Sequence, residues 1–394
     1  MNFDLLFLIL FFLILLGIYS KYKNKFEVQG KVFILYKTKW GLKLMDKIAS
    51  KFPRLLKYLS YVSVFIGFFG MAFIFYFLIK GTYNYLFIPK AQPLLAPVLP
   101  GVHVAGLPTL SFFHWIIAIL FIAGIHEFFH GVYARYIGVK IKSSGFAFLG
   151  PILAAFVEPD EKQLIKKKKF DQLTVFSAGP FINIVSAFLI LFFTLFIINP
   201  IAYTFVEPNG VQVVSLVPEN PAELSGIKVG EEIKFINDIT INNVNDFSKS
   251  LENIKPNQEI IIQTLNSTYT LTTTQSPKNP EEGYLGISVS AVEVIAKGNY
   301  GKITVLISNW IMKLFFWMYA ISLGVGLFNL LPLGPVDGGR MFNTGILYFI
   351  KNKKLARKIY ITTSLFCLLL IFINLLPYLL KLLLFIAKPI LFLI

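Results

Sequence analysis

The residues best suited to carry chemistry are two histidines and a glutamate in the segment His126-Glu127-Phe128-Phe129-His130. Residues four apart on an α-helix differ by about 40° around its axis, so both imidazoles face one side. Such a pair can hold a zinc ion, and the glutamate beside the first histidine can act as a general base toward a water molecule that zinc activates. The spacing therefore predicts a hydrolytic zinc site with Glu127 as its base.

The surroundings of this motif distinguish it from a chance match. In a soluble helix the same pattern would often be an ordinary charged face, but here the sequence is apolar for a full turn on either side. An ionised glutamate at the centre of a membrane helix costs about 2.5–3.5 kcal/mol on insertion scales. A residue kept at that cost needs a function or a partner, so the motif indicates a functional site inside an apolar helix.

The two histidines leave a catalytic zinc site one protein ligand short, because such sites use three ligands and a water molecule. The best candidate for the third is Asp337, in the segment Asn329–Arg340. Pro332, Pro335 and the glycines after Asp337 interrupt the helix there and leave room for a metal. The alternative is that Asp337 is the N-cap of a helix that follows the turn.

Composition indicates what kind of element must position these residues. The chain has 394 residues, 56% of them hydrophobic, and a mean hydropathy of +0.68, which is too apolar for a soluble protein of this length. Runs long enough to cross a bilayer predict about six transmembrane helices, and the lysines after the first run predict an uncleaved anchor. The predicted spans are Asn2–Tyr19, Leu59–Ile79, Ser111–Tyr133, Gln172–Ile198, Val305–Leu327 and Ile359–Leu380.

The distribution of positive charge in the chain indicates contact with a membrane rather than with a nucleic acid. The net charge is +16, but the lysines lie in short clusters beside apolar runs and lack the interleaved aromatic residues of a nucleic-acid groove. We therefore expect a lipid bilayer and no nucleic acid as partner. The single cysteine, Cys367, leaves no disulfide to form.

The distribution of lysine also predicts an orientation. Lysine-rich loops face the cytoplasm in membrane proteins, and here they alternate with lysine-poor loops. This places Lys21–Lys57, Lys140–Lys169 and Lys351–Lys358 inside, and Thr82–Leu110 and Ala202–Ser290 outside. The third and fifth spans then run in the same direction, so that Glu127 and Asp337 meet toward the cytoplasmic side of a multi-pass protein of the cell membrane.

The patterns of two segments predict β-structure. Residues 208–292 are polar, and apolar and polar residues alternate at Gly210–Leu216, Glu232–Ile236 and Glu259–Thr264, which is typical of strands. The segment Val139–Val157 alternates loosely around Gly145, Gly150 and Pro151 and predicts a membrane-associated β-hairpin beside the third span.

We accordingly divide the chain into four regions. The predicted boundaries are 1–110 for an N-terminal membrane region, 111–205 for the first half of a catalytic core, 206–292 for an inserted outer domain, and 293–394 for the second half of the core with the C-terminal span. The end of the last apolar run, after residue 378, is not defined by the pattern.

Three motifs in this order resemble those of the site-2 protease family of intramembrane metalloproteases. They are His126–His130, Phe176–Asn183 in the fourth span, and Asn329–Arg340. The resemblance covers about Ser111–Asn343. It implies a zinc metalloendopeptidase that cuts other membrane proteins in or near their transmembrane segments in regulated intramembrane proteolysis.

The resemblance also implies roles for individual residues. Zn²⁺ would be bound by His126, His130 and Asp337, with Glu127 as the general base. Asn183 would lie near the metal, where its amide could hydrogen-bond substrate or stabilise an oxyanion. The alternative for Asn183 is a hydrogen bond between helices, because a buried amide needs partners in any case.

The inserted region carries a second resemblance. Val217–Ile233, followed by Ile236 and Asn237, is similar to a PDZ domain of α+β structure, which implies a peptide segment bound by strand addition. The carboxylate-binding loop would fall near Asn209–Val211, where the match is weak. We therefore expect this domain, on the extracytoplasmic side, to filter substrates by size rather than to hold a C-terminus.

Two other classes of function remain as alternatives at this point. A divalent-metal transporter would also place histidine and aspartate in apolar helices, and it predicts metal sites at several depths. A catalytically idle membrane scaffold would act through the PDZ-like domain alone, and it predicts no bound zinc.

Overall fold

The computed structural model describes residues 3–29, 33–89, 91–101, 107–149, 152–252, 254–277, 279–298 and 300–391. Six helices in these residues are long and apolar enough to cross a membrane, which confirms the predicted number of spans. They are Phe3–Lys21, Pro53–Phe87, Phe112–Tyr136, Lys169–Phe205, Lys302–Phe328 and Lys353–Lys381. Most extend beyond the apolar runs by several residues, because helices continue through the polar headgroup region after the hydrocarbon ends.

The helices carry the numbers used below. In chain order they are α1 Phe3–Lys21, α2 Leu42–Lys51, α3 Pro53–Phe87, α4 Phe112–Tyr136, α5 Glu161–Ile165, α6 Lys169–Phe193, α7 Asn199–Phe205, α8 Pro221–Leu224, α9 Val244–Leu251, α10 Lys302–Phe328, α11 Asp337–Phe349 and α12 Lys353–Leu391. A π-helical turn, Thr194–Ile198, joins α6 to α7.

The strands are numbered in the same way. They are β1 Phe26–Gln29, β2 Phe33–Thr38, β3 Ile141–Leu149, β4 Ile152–Pro159, β5 Val206–Asn209, β6 Val211–Leu216, β7 Glu232–Ile236, β8 Ile239–Thr240, β9 Glu259–Thr264, β10 Thr268–Thr272, β11 Thr274–Gln275, β12 Gly283–Tyr284, β13 Ile287–Ser290 and β14 Glu293–Ala296. Strands β6, β7 and β9 confirm the three strands predicted from alternation.

The chain forms two compact units. Unit 1 comprises Met1–Val102, Thr109–Phe192 and Leu314–Ile394, and unit 2 comprises His103–Pro108 and Phe193–Lys313. The predicted catalytic residues all belong to unit 1. The predicted inserted domain, 206–292, lies within unit 2.

A four-stranded antiparallel sheet of unit 1 has the order β1-β2-β3-β4. The pair β3 and β4 lies where the hairpin was predicted, with Ser144 opposite Val157. Strands β1 and β2 come from the segment predicted only as a basic loop, Lys21–Lys57, which also contains α2. Their pairing with β3 leaves β4 at the edge of the sheet. The position of this sheet relative to the bilayer stays a prediction.

Small residues let the helices of unit 1 approach closely, as is usual where helices pack in lipid. A Cβ on Gly131 of α4 would collide with Met45 of α2, and one on Gly67 of α3 would collide with Met341 of α11. A Cβ on Gly326 of α10 would lie 3.2 Å from the Cβ of Asn183. The elements that carry the predicted site therefore pack at short range.

The main sheet of unit 2 has the order β10-β9-β7-β6-β13, with β8 paired to β7. It buries a core of aliphatic side chains together with Phe247 of α9. The identity of this region as a PDZ domain remains a prediction.

Candidate metal centre and active site

Three potential metal ligands from two distant parts of the chain converge on one point. The Nε2 atom of His126 lies 3.1 Å from Oδ2 of Asp337 and 3.1 Å from Nε2 of His130. The Nε2 atom of His130 lies 3.2 Å from the same aspartate oxygen. The three ligand atoms therefore form a nearly equilateral triangle.

The size of this triangle fits zinc. Bonds of about 2.0–2.1 Å in a tetrahedral arrangement separate neighbouring ligand atoms by about 3.3 Å. The observed separations are within about 0.2 Å of that value. Two nitrogens and one carboxylate oxygen are also a donor set that zinc accepts at catalytic sites, with the fourth position left for water or substrate. The predicted ligands His126, His130 and Asp337 are thus brought together, and all three could hold one metal ion.

The local sequence explains how Asp337 reaches the histidines. Helix α11 begins at Asp337, and the N–H of Gly338 donates to the carbonyl of Asn329 at 2.6 Å. A Cβ on Gly338 would overlap the carbonyl of Leu330, and one on Gly339 would overlap the carbonyl of Leu333. Only glycine permits the chain to fold back this closely, so the two glycines place the start of α11 beside α4.

The second nitrogen of His130 has a hydrogen-bond partner that orients the ring. Its Nδ1 lies 2.6 Å from the carbonyl oxygen of Val175 in α6. A carbonyl can only accept, so Nδ1 carries the proton and Nε2 keeps its lone pair. This is the tautomer that a metal ligand needs.

Asn183 lies on the far side of His126 from the ligand triangle. Its side-chain Nδ2 is 3.0 Å from Nδ1 of His126, and the residue is fully buried. Its Oδ1 is buried with no hydrogen-bond partner among the described residues. Amide nitrogen and oxygen are assigned from the hydrogen-bond network, and a metal-binding His126 has Nδ1 protonated. Rotating the amide by 180° lets Oδ1 accept from Nδ1–H of His126, and it places the amide NH2 group where Oδ1 had no partner.

Glu127 is connected to the sheet rather than to the triangle. Its Oε2 accepts a hydrogen bond from the main-chain N–H of Val157 at 3.0 Å. Val157 belongs to the edge strand β4, so the carboxylate lies between the metal-ligand face of α4 and the open side of the sheet.

Comparison with known proteins agrees with this geometry. The profile of peptidase family M50 matches residues 114–374, a range that contains every site residue described above. The chain belongs to peptidase family M50. This confirms the resemblance to the site-2 proteases and zinc as the cofactor, and it makes the protein a metalloprotease with several membrane helices.

Two relatives illustrate the extent of the similarity. An uncharacterised protein of Methanocaldococcus jannaschii is 32% identical over 323 residues, which cover 80% of this chain and 78% of the relative. A Clostridium perfringens protein with the name "Putative zinc metalloprotease" is 28% identical over 291 residues, which cover 61% of this chain and 84% of the relative.

A cavity of about 280 Å³ opens onto the site of this M50 peptidase. Its wall includes the ligands and Glu127, the C-terminal part of β4 and the start of α11. The guanidinium of Arg340 lies 5.7 Å from the centre of the Phe176 ring and 3.7 Å from Glu161. The cavity is therefore polar at the ligands and bordered by a cation.

Gly179 is a site residue to which sequence reasoning assigned no role, although it lies inside the second motif. A Cβ at this position would collide with the Nε2 atoms of both His126 and His130. Glycine in α6 thus leaves the volume in which a metal ion and its ligands can sit. The glycine-proline pair of the motif, Gly179-Pro180, was the available signal.

An ionic network in the sheet was also missed. The ammonium of Lys37 lies 2.7 Å from Glu27 and 3.2 Å from Glu158, and Ser143 donates to Glu158 at 2.7 Å. The hydrogen bond from Ser143 and the charge of Lys37 lower the pKa of Glu158, and the hydrogen bond to Glu27 raises the pKa of Lys37. The network joins β1, β2, β3 and β4, and so supports the strand that contacts Glu127.

Proposed function

We propose that this chain is an intramembrane protease that hydrolyses peptide bonds in or near the transmembrane segments of other membrane proteins. The observation that carries the proposal is the triangle of His126, His130 and Asp337, with Glu127 beside it, on helices of a chain with six candidate spans. Because such helices lie in the bilayer, the polypeptides that can reach a hydrolytic site within them are the membrane-embedded segments of other proteins.

Zinc and Glu127 have different roles in the proposed hydrolysis. Zinc, when bound, supplies Lewis-acid activation of water and of the scissile carbonyl. Among the described residues that line the cavity, Glu127 is the one carboxylate that is not a candidate ligand. It takes a proton from the attacking water and delivers it to the leaving amine.

The two orienting contacts keep the ligands in their working tautomer. The carbonyl of Val175 accepts from His130, and the Asn183 amide, which lies 3.0 Å from Nδ1 of His126, accepts from it through Oδ1 when rotated by 180°. Both imidazoles then present Nε2 as a lone-pair donor. We assign Asn183 this positioning role. The earlier prediction that its amide contacts substrate or an oxyanion stays untested.

The edge strand β4 offers a place for the substrate backbone. A helical substrate must unwind before cleavage because its carbonyls are engaged in internal hydrogen bonds. The N–H of Val157 faces Glu127 and not β3, so with a period of two the N–H groups of Ala155 and Leu153 also face away from β3. An extended substrate can pair with these two residues while Glu127 keeps the third N–H.

Three further statements belong to the same proposal. The cleavage is part of regulated intramembrane proteolysis, the site opens toward the cytoplasm, and the PDZ-like region of unit 2 lies outside and filters substrates. The filter role is supported by the loop at Asn209–Val211, where the N–H of Gly210 already donates to the carbonyl of Asn242 at 2.6 Å. That N–H is not free for a peptide carboxylate.

The test compares the intact protein with Glu127→Gln, purified in lipid and supplied with single-span membrane proteins. Glutamine keeps the size of the side chain but cannot accept the proton. We expect the variant to retain one zinc per chain and to lose cleavage, with a decrease on the order of 10²-fold or more. Cleavage at the original rate, with zinc retained, would remove Glu127 from the mechanism.

A further inference from the structure

We propose that a basic cavity at the end of α4 binds the phosphate headgroup of an anionic lipid. The cavity has a volume of about 570 Å³ and lies between α2 and the turn that follows α4. None of its lining residues belongs to the active-site cavity. Its lining residues are Asp46, Lys47, Ala49, Ser50, Arg135, Tyr136, Gly138, Val139 and Lys140.

The charge of this lining favours an anion. Lys47, Arg135 and Lys140 contribute three cations, and Asp46 is the one acid among the described lining residues. Asp46 meets Arg135 through a single contact of 2.9 Å, from Oδ1 to Nε. A guanidinium has five N–H donors, so this contact leaves donors for another acceptor. A fourth cation is near, because the ammonium of Lys167 lies 3.4 Å from the position of a Cβ on the cavity-lining Gly138.

Helix stabilisation alone does not account for this cluster. A cation near the C-terminal end of a helix interacts favourably with the helix dipole, which suits Arg135 in the last turn of α4. Lys140, however, follows α4 and precedes β3, and Lys47 comes from α2. Cations from three separate segments therefore point to a shared ligand.

The cavity lies at the level where membrane helices end. Helix α3 begins at Pro53, immediately after α2, and α4 ends at Tyr136 beside α2. Before and within α2, Trp40 is 80% exposed and Leu44 is 52% exposed, and a lysine precedes each of them. Exposed tryptophan and leucine next to lysine are typical of a segment at the lipid headgroups. The phosphate of an anionic lipid is the anion most concentrated at that level.

A lipid bound there would act on the helix that carries the catalytic residues. Gly131 of α4, the residue after His130, packs against Met45 of α2. A phosphate that contacts Lys47 on one side and Arg135 and Lys140 on the other would hold α2 against α4. A ligand that binds only the folded protein stabilises it by RT ln(1 + [L]/Kd), so the stabilisation grows with the concentration of the lipid.

The experiment measures thermal unfolding of the full chain in phosphatidylcholine bilayers with and without phosphatidylglycerol. We expect phosphatidylglycerol to raise the Tm by roughly 2–4 °C. The double variant Lys47→Gln/Lys140→Gln should lose this increase while its Tm in pure phosphatidylcholine and its zinc content stay near those of the unmodified protein. The matched control is Lys353→Gln/Lys354→Gln, which removes the same charge from exposed positions at the start of α12.

The outcomes distinguish a site from general attraction. Loss of the increase in the cavity variant only would support the proposal. An equal loss in both variants, or in neither, would overturn it. A further arm adds inorganic phosphate to phosphatidylcholine bilayers: an equal rise in Tm there would overturn the assignment to a lipid, because a free anion would then suffice.

Discussion

The helices of unit 1 and the main sheet of unit 2 in this M50 peptidase place polar and apolar residues in opposite ways. In unit 1, fully buried polar residues such as Ser63, Asn183 and Asn374 lie inside, while Phe65 and Leu368 are exposed. In the sheet of unit 2, the fully buried residues are aliphatic: Val211, Ile233, Ile236, Ile260 and Ile262. The difference indicates that the spanning helices of unit 1 pack in lipid, whereas the main sheet of unit 2 packs as in a water-soluble domain.

This difference changes what stabilises each unit. Burying aliphatic side chains stabilises the sheet domain of unit 2, since water surrounds the unfolded form of a water-soluble domain. In lipid that driving force is absent between helices, so unit 1 depends on close packing at glycine and on satisfied polar groups. The candidate site shows both features: Gly179 leaves the space, and Val175 and Asn183 lie within hydrogen-bond distance of the two histidines.

The largest effect is expected at Gly179. In Gly179→Ala the new methyl would collide with the Nε2 atoms of both histidines, so we expect loss of zinc and of cleavage. Gly124→Ala is the control, since a Cβ there meets nothing within 4 Å and alanine favours the helix. Zinc content by atomic spectroscopy is the measurement. Full zinc content in Gly179→Ala would show that close packing at this glycine does not form the site.

A smaller but still large effect is expected in the core of unit 2. Ile260→Ala removes a fully buried side chain and should destabilise unit 2 by about 2–5 kcal/mol, with the zinc content unchanged. Its neighbour Ile261 is 41% exposed on the same strand, so Ile261→Ala should cost much less. Hydrogen exchange of β9 measures both. If the amides of β9 were equally protected in the two variants, burial of aliphatic side chains would not be what stabilises this sheet.

The orienting role of Asn183 predicts a pair of opposite outcomes. Asn183→Leu removes the acceptor and should weaken zinc binding by roughly 10–100-fold. Asn183→Asp keeps an oxygen that accepts from His126 and should retain most of the affinity. Competition with a zinc chelator measures both variants. If aspartate weakened binding as much as leucine, the amide would act as a donor, and the assignment of its oxygen to His126 would be wrong.

The smallest effect is expected in the sheet of unit 1. The pKa of Glu158 is lowered in the folded protein. The contribution of Glu158 to the free energy of unfolding is therefore complete above the ordinary pKa of 4.5, and it is lost as the pH falls through the folded pKa. The pKa of Lys37 is raised, so the contribution of Lys37 to the free energy of unfolding is complete below its ordinary pKa of 10.5 and is lost only at higher pH. Since both side chains are about one-third exposed, Glu158→Gln should cost about 0.2–1 kcal/mol at neutral pH.

Hydrogen exchange of β3 and β4 at neutral and acidic pH checks this last prediction. The unmodified sheet should lose protection on acidification below 4.5, and Glu158→Gln should show a weaker dependence on pH. An unchanged pH dependence in the variant would mean that another carboxyl group controls the sheet.

Much of the active site was predictable because its signals are local. The spacing of His126 and His130 on one helix face needs only helix geometry, and Asp337 is distinguished by the proline and glycine residues around it. The six spans follow from the length of apolar runs. In each case the relevant physical property belongs to a short stretch of chain, and a single sequence contains it in full.

Other features depend on contacts between distant segments and were therefore not predicted. The strands β1 and β2 have no strong alternation and form because β3 offers an edge to pair with. The hydrogen bond from Val157 to Glu127 and the space above Gly179 exist only once α4, α6 and β4 have met.

The sequence by itself therefore determined which side chains could hold a metal ion, which carboxylate is the proposed base, and the membrane setting of this protein, since residue type and periodicity decide those. Tertiary structure alone decided that three candidate ligand atoms lie 3.1–3.2 Å apart and that a sheet edge reaches Glu127. The physical reason is that distances between helices depend on how side chains of different segments fill the space between them, and no single segment contains that information.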